Sequence, residues 1–281
     1  MKHLEEKFFK FLMYLSTAFI IGLLCSVILA VIYRGFTSLS WEMISSVPKG
    51  GYYLGKEGGV LNAIVGSLYL SVGATFIAML MSLPIVLYLN LYLKHDSKFA
   101  ATVRLALDLL WGVPSIVYGA FGFTLMVIIG LKTSLLAGII TLAIMILPII
   151  ARAMDEIMRN IPTGLIEASY SLGATRWETS FKVVVKQTLP AITTAMLLGF
   201  GRAIGDAASV IFTSGYTDRI PTSIMKPAAS LPLSIFFQLG APIPEVQNRA
   251  YAAAVILTVI ILIISIISRL LYRKYAKNQI I

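Results

Sequence analysis

The sequence predicts an all-α integral membrane protein with six transmembrane helices and both termini in the cytoplasm, and three observations lead there. Of 281 residues, 58% are hydrophobic and 13% charged, against roughly 25% charged in a soluble domain, so the ions needed to coat a water-facing surface are missing. The apolar residues collect in six stretches, each near the ~20 residues that a helix needs to cross the hydrocarbon core. The basic residues gather on alternate connections: fifteen of the 23 Lys and Arg fall in 1–10, 94–104, 152–190 and 269–281, and seven fall in 34–61, 131–133 and 216–249. Cytoplasmic segments carry the excess of Lys and Arg, which places the first group inside.

The first span, Phe8 to Tyr33, is entered from Lys2, Lys7 and Lys10. Its apolar run is too long for a signal peptide, and no small-residue cleavage pattern follows. The second runs from about Asn62 to Leu93 with Pro84 as an expected kink, because proline removes a helix hydrogen bond. The third, about Leu105 to Gly130, contains Trp111-Gly112-Val113-Pro114, and the fourth, Ser134 to about Ala151, follows a turn at Leu131-Lys132-Thr133. The fifth, about Ala191 to Ser214, starts after Pro190, and the sixth, Tyr251 to about Ser268, ends in Arg269, Arg273, Lys274 and Lys277. Trp41, Tyr251 and Tyr272 near span ends read as interface anchors.

Several function classes fall away. A net charge of +10 suggests nucleic acid only until the basic residues are seen to flank apolar spans. Cys25 is the lone cysteine, so neither an intramolecular disulfide nor a Cys-based metal site is available. His3 and His95 are isolated beside lysines, which argues against a metal site. Gly50 to Lys56 has the Gly-x-x-x-x-Gly-Lys spacing of a phosphate-binding loop, but Glu57 follows where Ser or Thr must hold magnesium. Its glycines read as a turn, with Lys49 and Lys56 available to an external partner.

Two external connections, Arg34–Leu61 and Tyr216–Ala250, exceed the usual ceiling of about 12–15 residues for structureless loops. The second holds five prolines and an apolar patch, Leu231 through Leu239. That patch reads as a re-entrant segment, a docking surface or a packed lid. On the opposite side, Arg152 to Pro190 reads as two short helices. Pro162-Thr163 opens the first and Gly173 ends it. Thr175-Arg176-Trp177-Glu178 then has the spacing of a capping box, and Trp177, Phe181, Val184 and Val185 recur as an apolar stripe on a helix. Such a helix–Gly–helix element suits either a groove on a partner protein or the membrane surface.

Glu167-Ala168-Ser169, then Gly173-Ala174, then Leu189-Pro190 is similar to the EAA loop of ABC-importer permeases: Glu-Ala-Ala, a Gly a few residues on, and a distal Leu-Pro. Ser169 departs from it, small for small. The resemblance implies that this cytoplasmic loop is a coupling helix docking on an ATPase subunit, with Glu167, Ala168, Ser169, Gly173 and Ala174 at the contact. It also implies a division into 1–61, a transmembrane helix and external loop, and 62–281, the permease core with its coupling loop at 152–190.

Gly112-Val113-Pro114-Ser115-Ile116-Val117-Tyr118-Gly119 and Gly201-Arg202-Ala203-Ile204-Gly205-Asp206-Ala207-Ala208 resemble segments of phosphate permeases. Asp206 stands where that family has Glu, and Ala207 where it has Thr. Ser230-Leu231-Pro232-Leu233-Ser234-Ile235 and Ala252-Ala253-Ala254 resemble the PstA-type subunit rather than its PstC-type partner. Independently of family, an Arg in mid-span costs about 2.5–3.5 kcal/mol and normally faces a cavity or partner. Asp206 lies one helical turn beyond Arg202 and can pair with it. Arg202 and Asp206 are therefore candidates for the substrate path, or else a permanent ion pair. Ser115 joins them as a further candidate, or bonds its own backbone. Gly201 and Gly205 form Gly-x-x-x-Gly, a close-packing face.

The resemblance implies a phosphate importer in a prokaryotic plasma membrane, built with a PstC-type permease, two ATPase subunits and an extracytoplasmic phosphate-binding protein. ATP and magnesium would sit on the ATPases, with no cofactor, metal or catalytic residue on this chain. Arginine does not choose among tetrahedral anions, so molybdate or sulfate permeases remain alternatives. An ion-coupled secondary transporter would lean on membrane carboxylates, for which Asp206 and Asp108 are the candidates, and leaves the EAA-like loop without a role.

Overall fold

The computed structural model describes residues 2–49, 57–94 and 97–276. The Gly50–Lys56 stretch and His95 lie outside the described residues. The elements are α1 (Lys2–Phe36), α2 (Trp41–Ser45), the strands β1 (Pro48–Lys49) and β2 (Glu57–Gly58), α3 (Leu61–Leu87), α4 (Lys98–Trp111), α5 (Ser115–Ile128), α6 (Leu135–Arg159), α7 (Thr163–Ser171), α8 (Arg176–Glu178), α9 (Val185–Ile204), α10 (Leu231–Leu239) and α11 (Pro244–Ala276). β1 and β2 pair antiparallel, Pro48 opposite Gly58. Two π-helical segments, Tyr88–Tyr92 and Thr179–Val184, continue α3 and join α8 to α9.

Among the described residues, five helical stretches are long and apolar enough to cross a membrane, or six if the bent pair α4–α5 is one span. The core is a triad of α3, α6 and α9, flanked by α4 and α5. It is filled by Leu70, Leu142, Ile146, Ile150, Met154 and Ile192. A second cluster at the other end of α3 gathers Met43, Val60, Ala63, Ala229, Leu231, Ala252 and Ala253. α1 lies outside the bundle along α11, its apolar face open as a lipid-facing span requires. Arg34 Nη1 donates to the Tyr251 hydroxyl at 3.0 Å and joins the two helices.

The third span departs from the expected single helix. It begins at Lys98 and turns by 101° between Trp111 and Ser115. Pro114 supplies no backbone donor and disfavours helix at Val113, so the chain leaves α4 and starts afresh.

The fifth span departs at both ends. Helical backbone runs from Arg176 straight through Pro190, because Ala191, Ile192 and Ala195 bury against the core and hold the helix despite the lost hydrogen bond. It stops at Ile204 rather than Ser214. Residues 205–230 are then turns, bends and irregular backbone. α6 and α11 extend well past their expected ends, to Arg159 and from Pro244.

The apolar patch Leu231–Leu239 resolves in favour of internal packing for its first half. Leu231, Pro232, Leu233 and Ser234 are buried against α3 and α11. The Leu231 amide donates to Ser67 Oγ at 2.7 Å, and Gly66 lets the Ala229 carbonyl come so close that a Cβ there would collide with it. Tyr216 packs edge-on against Phe237, centroids 5.1 Å apart, and its burial raises the phenol pKa. Phe236, at 58% exposure, points away from this packing.

Candidate functional site

Two of the places that combine irregular backbone with charge hold the residues singled out in the sequence. The first is the broken end of the fifth span. Arg202 lies in the last turn of α9, not at mid-helix, where its charge is favoured by the helix C-terminus. Its Nη1 meets Asp206 Oδ1 at 3.0 Å, with the Arg202 side chain 46% exposed and that of Asp206 4%. The other carboxylate oxygen of Asp206 accepts the Ser209 amide at 2.8 Å. That bond offers the backbone an alternative to helix and, with Gly205 as C-cap, explains the stop at Ile204. Buried irregular backbone at membrane depth is tolerated only inside protein or lining a water-filled cavity.

The segment is pinned from several sides. The Ser134 amide donates to the Thr213 carbonyl at 3.0 Å, and the Ala228 amide to that of Ser214 at 2.9 Å. α5 lies directly on the turn: a Cβ on Gly119 would sit 2.8 Å from the Ala208 carbonyl oxygen and 3.0 Å from that of Ser209. α5, which starts at the corner, thus meets the turn beyond α9 through Gly119, a contact that sequence reading did not anticipate. Ser115 stands half-buried at the start of α5, one turn before Gly119. Ser209 is fully buried and its Oγ has no hydrogen-bond partner among the described residues. Within this chain no helix packs on Gly201 and Gly205: a Cβ on Gly201 meets nothing within 4 Å, and one on Gly205 meets only Gly201's own carbonyl.

The second place is the loop between α6 and α9. α7 ends in a Schellman motif: the Gly173 amide donates to the Tyr170 carbonyl at 2.9 Å and that of Ala174 to Ser169 at 3.2 Å, with Gly173 at φ +82°. The capping box forms as its spacing predicts, Thr175 Oγ1 accepting from the Glu178 amide while the Glu178 carboxylate accepts from that of Thr175. Glu167 and Ala168 are exposed. Ser169 is buried and its hydroxyl meets that of Thr179 at 2.9 Å, locking α7 to the π segment. The expected single stripe splits. Trp177 is 66% exposed and packs at a tilt against Phe181, whereas Val184 is buried at 1%, because the π segment shifts the helical period. Leu172, 89% exposed, rims a groove of about 490 Å³ with Leu165, Ala168, Gly173, Glu178 and Lys182. An apolar rim beside charges is the pattern of a protein-docking surface.

Between these places lies a charge cluster missed in the sequence. Asp155 on α6 is fully buried. Arg104 of α4 grips it by Nε at 2.8 Å and Nη2 at 3.2 Å, and Asn90 Nδ2 donates to it at 2.8 Å. Arg152 reaches it at 3.1 Å and also pairs with Asp108 at 2.5 Å. Ending the fourth span at Ala151 left Asp155 outside the membrane reading, and only Asp108 and Asp206 counted as membrane carboxylates. The Arg152–Asp155 spacing of i, i+3 on one helix was the available signal.

Comparison with known proteins follows the same lines. Residues 74–277 match the family model described as binding-protein-dependent transport system inner membrane component. The chain is 32% identical over 259 residues to the phosphate transport system permease protein PstA of Yersinia pestis, covering 88% of each chain. It is 28% identical to that of Pasteurella multocida, covering 98% of this chain and 97% of the relative. Among solved structures, it superposes on a chain of a bacterial alginate ABC transporter with TM-score 0.69 and 15% identity, covering 99% of both. It also superposes on one from the inward-facing MetNI methionine ABC transporter with TM-score 0.62 and 22% identity, covering 77% of this chain and 95% of that one.

Proposed function

The chain belongs to the family of binding-protein-dependent transport system inner membrane components, and from that membership we propose that it is the membrane-spanning permease half of an ATP-driven importer carrying inorganic phosphate into a bacterial cytoplasm. The observation that carries the anion reading is Arg202: a half-exposed guanidinium at a break in a span, held by a buried carboxylate. Its planar fork matches the oxygens of an oxyanion. Asp206 holds that charge between transits and releases it when phosphate competes for the fork. Phosphate in particular is supported by what the PstA relatives are named for.

The exposed Glu167–Ala168 face of α7 and the groove at Gly173 are the proposed contact with an ATPase subunit, at the cytoplasmic side given by the Lys and Arg distribution. A PstC-type permease completes the pathway, two ATPase subunits hold ATP and magnesium, and an extracytoplasmic phosphate-binding protein delivers the solute. The chain itself hydrolyses nothing and needs no cofactor of its own.

The test is uptake of radiolabelled phosphate in cells with and without this chain, with unlabelled sulfate and molybdate as competitors. Uptake that requires the chain and ignores both competitors is expected. Unchanged phosphate uptake alongside loss of another anion's uptake would overturn the substrate and leave the permease assignment standing.

A further inference from the structure

The broken end of α9 and the loop face at α7 are far apart in the chain's architecture, and something must join them if movement at one is to reach the other. One connection is direct: Ser169 meets Thr179, and the π segment runs on into α9 and Arg202. A second runs through the buried charges. α6 leads through Asn160–Pro162 into α7. Asp155, one turn before the end of α6, is clamped by Arg104 of α4 and Asn90 of the first π segment. α4 then turns the corner into α5, whose Gly119 rests on Ala208 and Ser209. The two routes leave one loop and converge on one turn.

Three features mark the charge cluster as a joint and not simply as glue. Both π segments sit beside it, and π-helical insertions are frequent at functional sites. The guanidinium of Arg176, from the loop, lies over the Tyr92 ring of the first π segment, 5.8 Å from its centroid. A cavity of about 130 Å³ separates Asn90 and Arg104 from Thr163, Ile166 and Val184, so α7 has room to shift against the cluster. A buried ion pair is also poor value as pure stabiliser, since well-packed apolar side chains of similar volume often do as well or better.

We propose that Asp155, with Arg104 and Asn90, is a positioning cluster that transmits movement of the ATPase-facing loop to the α4–α5 corner, and so sets how much solute moves per ATP. The proposal rests on the permease reading above. Asp155 touches no solute in this scheme; it holds α4 in register with α6, so that movement passed from α7 into α6 carries α4 and, past the corner, α5 across the turn at Asp206–Ser209. Coupling between distant sites has a physical basis where both bias one element with two arrangements, and this cluster is proposed as that element.

The experiment uses the whole complex, with its partner permease, ATPases and binding protein, in proteoliposomes. ATP hydrolysis and phosphate uptake are measured per assembled complex for Asp155→Asn, Arg104→Lys and Asn90→Ala. Hydrolysis is expected to stay within about twofold of wild type while uptake per ATP falls about tenfold for Asp155→Asn and about threefold for Asn90→Ala, within the range of coupling changes known for residues away from ligands. Asn90→Ala leaves the ion pair intact and decides the matter if the charged variants fail to assemble.

A second readout needs no solute. In a Cys25→Ser background, Gly201→Cys places a thiol where a side chain meets open space, and its labelling by an impermeant maleimide should change with ATP and vanadate. That change should vanish in Asp155→Asn. Hydrolysis and uptake falling together, or nucleotide-dependent labelling that survives Asp155→Asn, would overturn the proposal. A wild-type complex that hydrolyses ATP without moving phosphate overturns the phosphate reading instead, and the labelling still decides the cluster's role.

Discussion

Gly119→Ala is the sharpest probe of the contact between α5 and the broken end of α9. The new methyl would sit 2.8 Å from one backbone oxygen and 3.0 Å from another, where ordinary contact begins at 3.4 Å. Both obstacles are backbone, so no side chain can rotate away, and α5 or the turn must yield by about 0.5 Å. Overpacking of this kind costs about 1–3 kcal/mol, and a misplacement of 1 Å at a working site costs about a hundredfold in rate, so about tenfold is expected here. Gly22→Ala is the control, because a Cβ there meets nothing within 4 Å and alanine favours helix. The assay is uptake normalised to membrane-embedded chain, with thermal unfolding of the purified complex beside it. Gly119→Ala should lower uptake about tenfold, and its midpoint by several degrees, while Gly22→Ala changes neither. Indistinguishable behaviour of the two variants would refute the placement of α5 against Ala208 and Ser209.

Other outcomes follow from the same geometry. Ser67→Ala removes the acceptor for the buried Leu231 amide; it should destabilise the chain by about 1–3 kcal/mol in a melting experiment, with uptake per folded molecule unchanged. Arg202→Lys keeps the charge but loses the planar fork, and should cost uptake about tenfold or more, with ATPase assembly intact on a pull-down. Leu172→Asp puts a charge on the most exposed apolar side chain of the loop; it should weaken co-purification of the ATPase by about tenfold, as loss of a central docking contact does, and leave the melting midpoint of the isolated chain in place.

Much of the loop at 152–190 was legible because its signals are local. Gly173 ends α7 since only a residue free of Cβ strain adopts its positive φ cheaply, and Thr175 and Glu178 satisfy each other's amides within one turn. The Arg202–Asp206 pair was legible for the same reason: the two residues stand four apart in the chain and meet although the helix ends between them. The stops of the fifth span and the corner of the third were not. An apolar run such as Val210–Phe212 reads as helix by composition, and nothing in it announces that the Asp206 carboxylate accepts from the Ser209 amide or that the Thr213 carbonyl accepts from the Ser134 amide.

The sequence by itself determined the solvent this chain folds in, the number of apolar crossings within one bent pair, and the loop that bears the family pattern, because hydrophobic length and short-range capping are properties of contiguous residues. Only the tertiary structure decided where the spans break and which charges meet. Arg104, Asn90 and Asp155 come from three segments, and what makes them a cluster is the burial of α3, α4 and α6 against one another. A buried carboxylate must find its partners wherever the packing leaves them, and packing is settled by the whole bundle rather than by any stretch of chain.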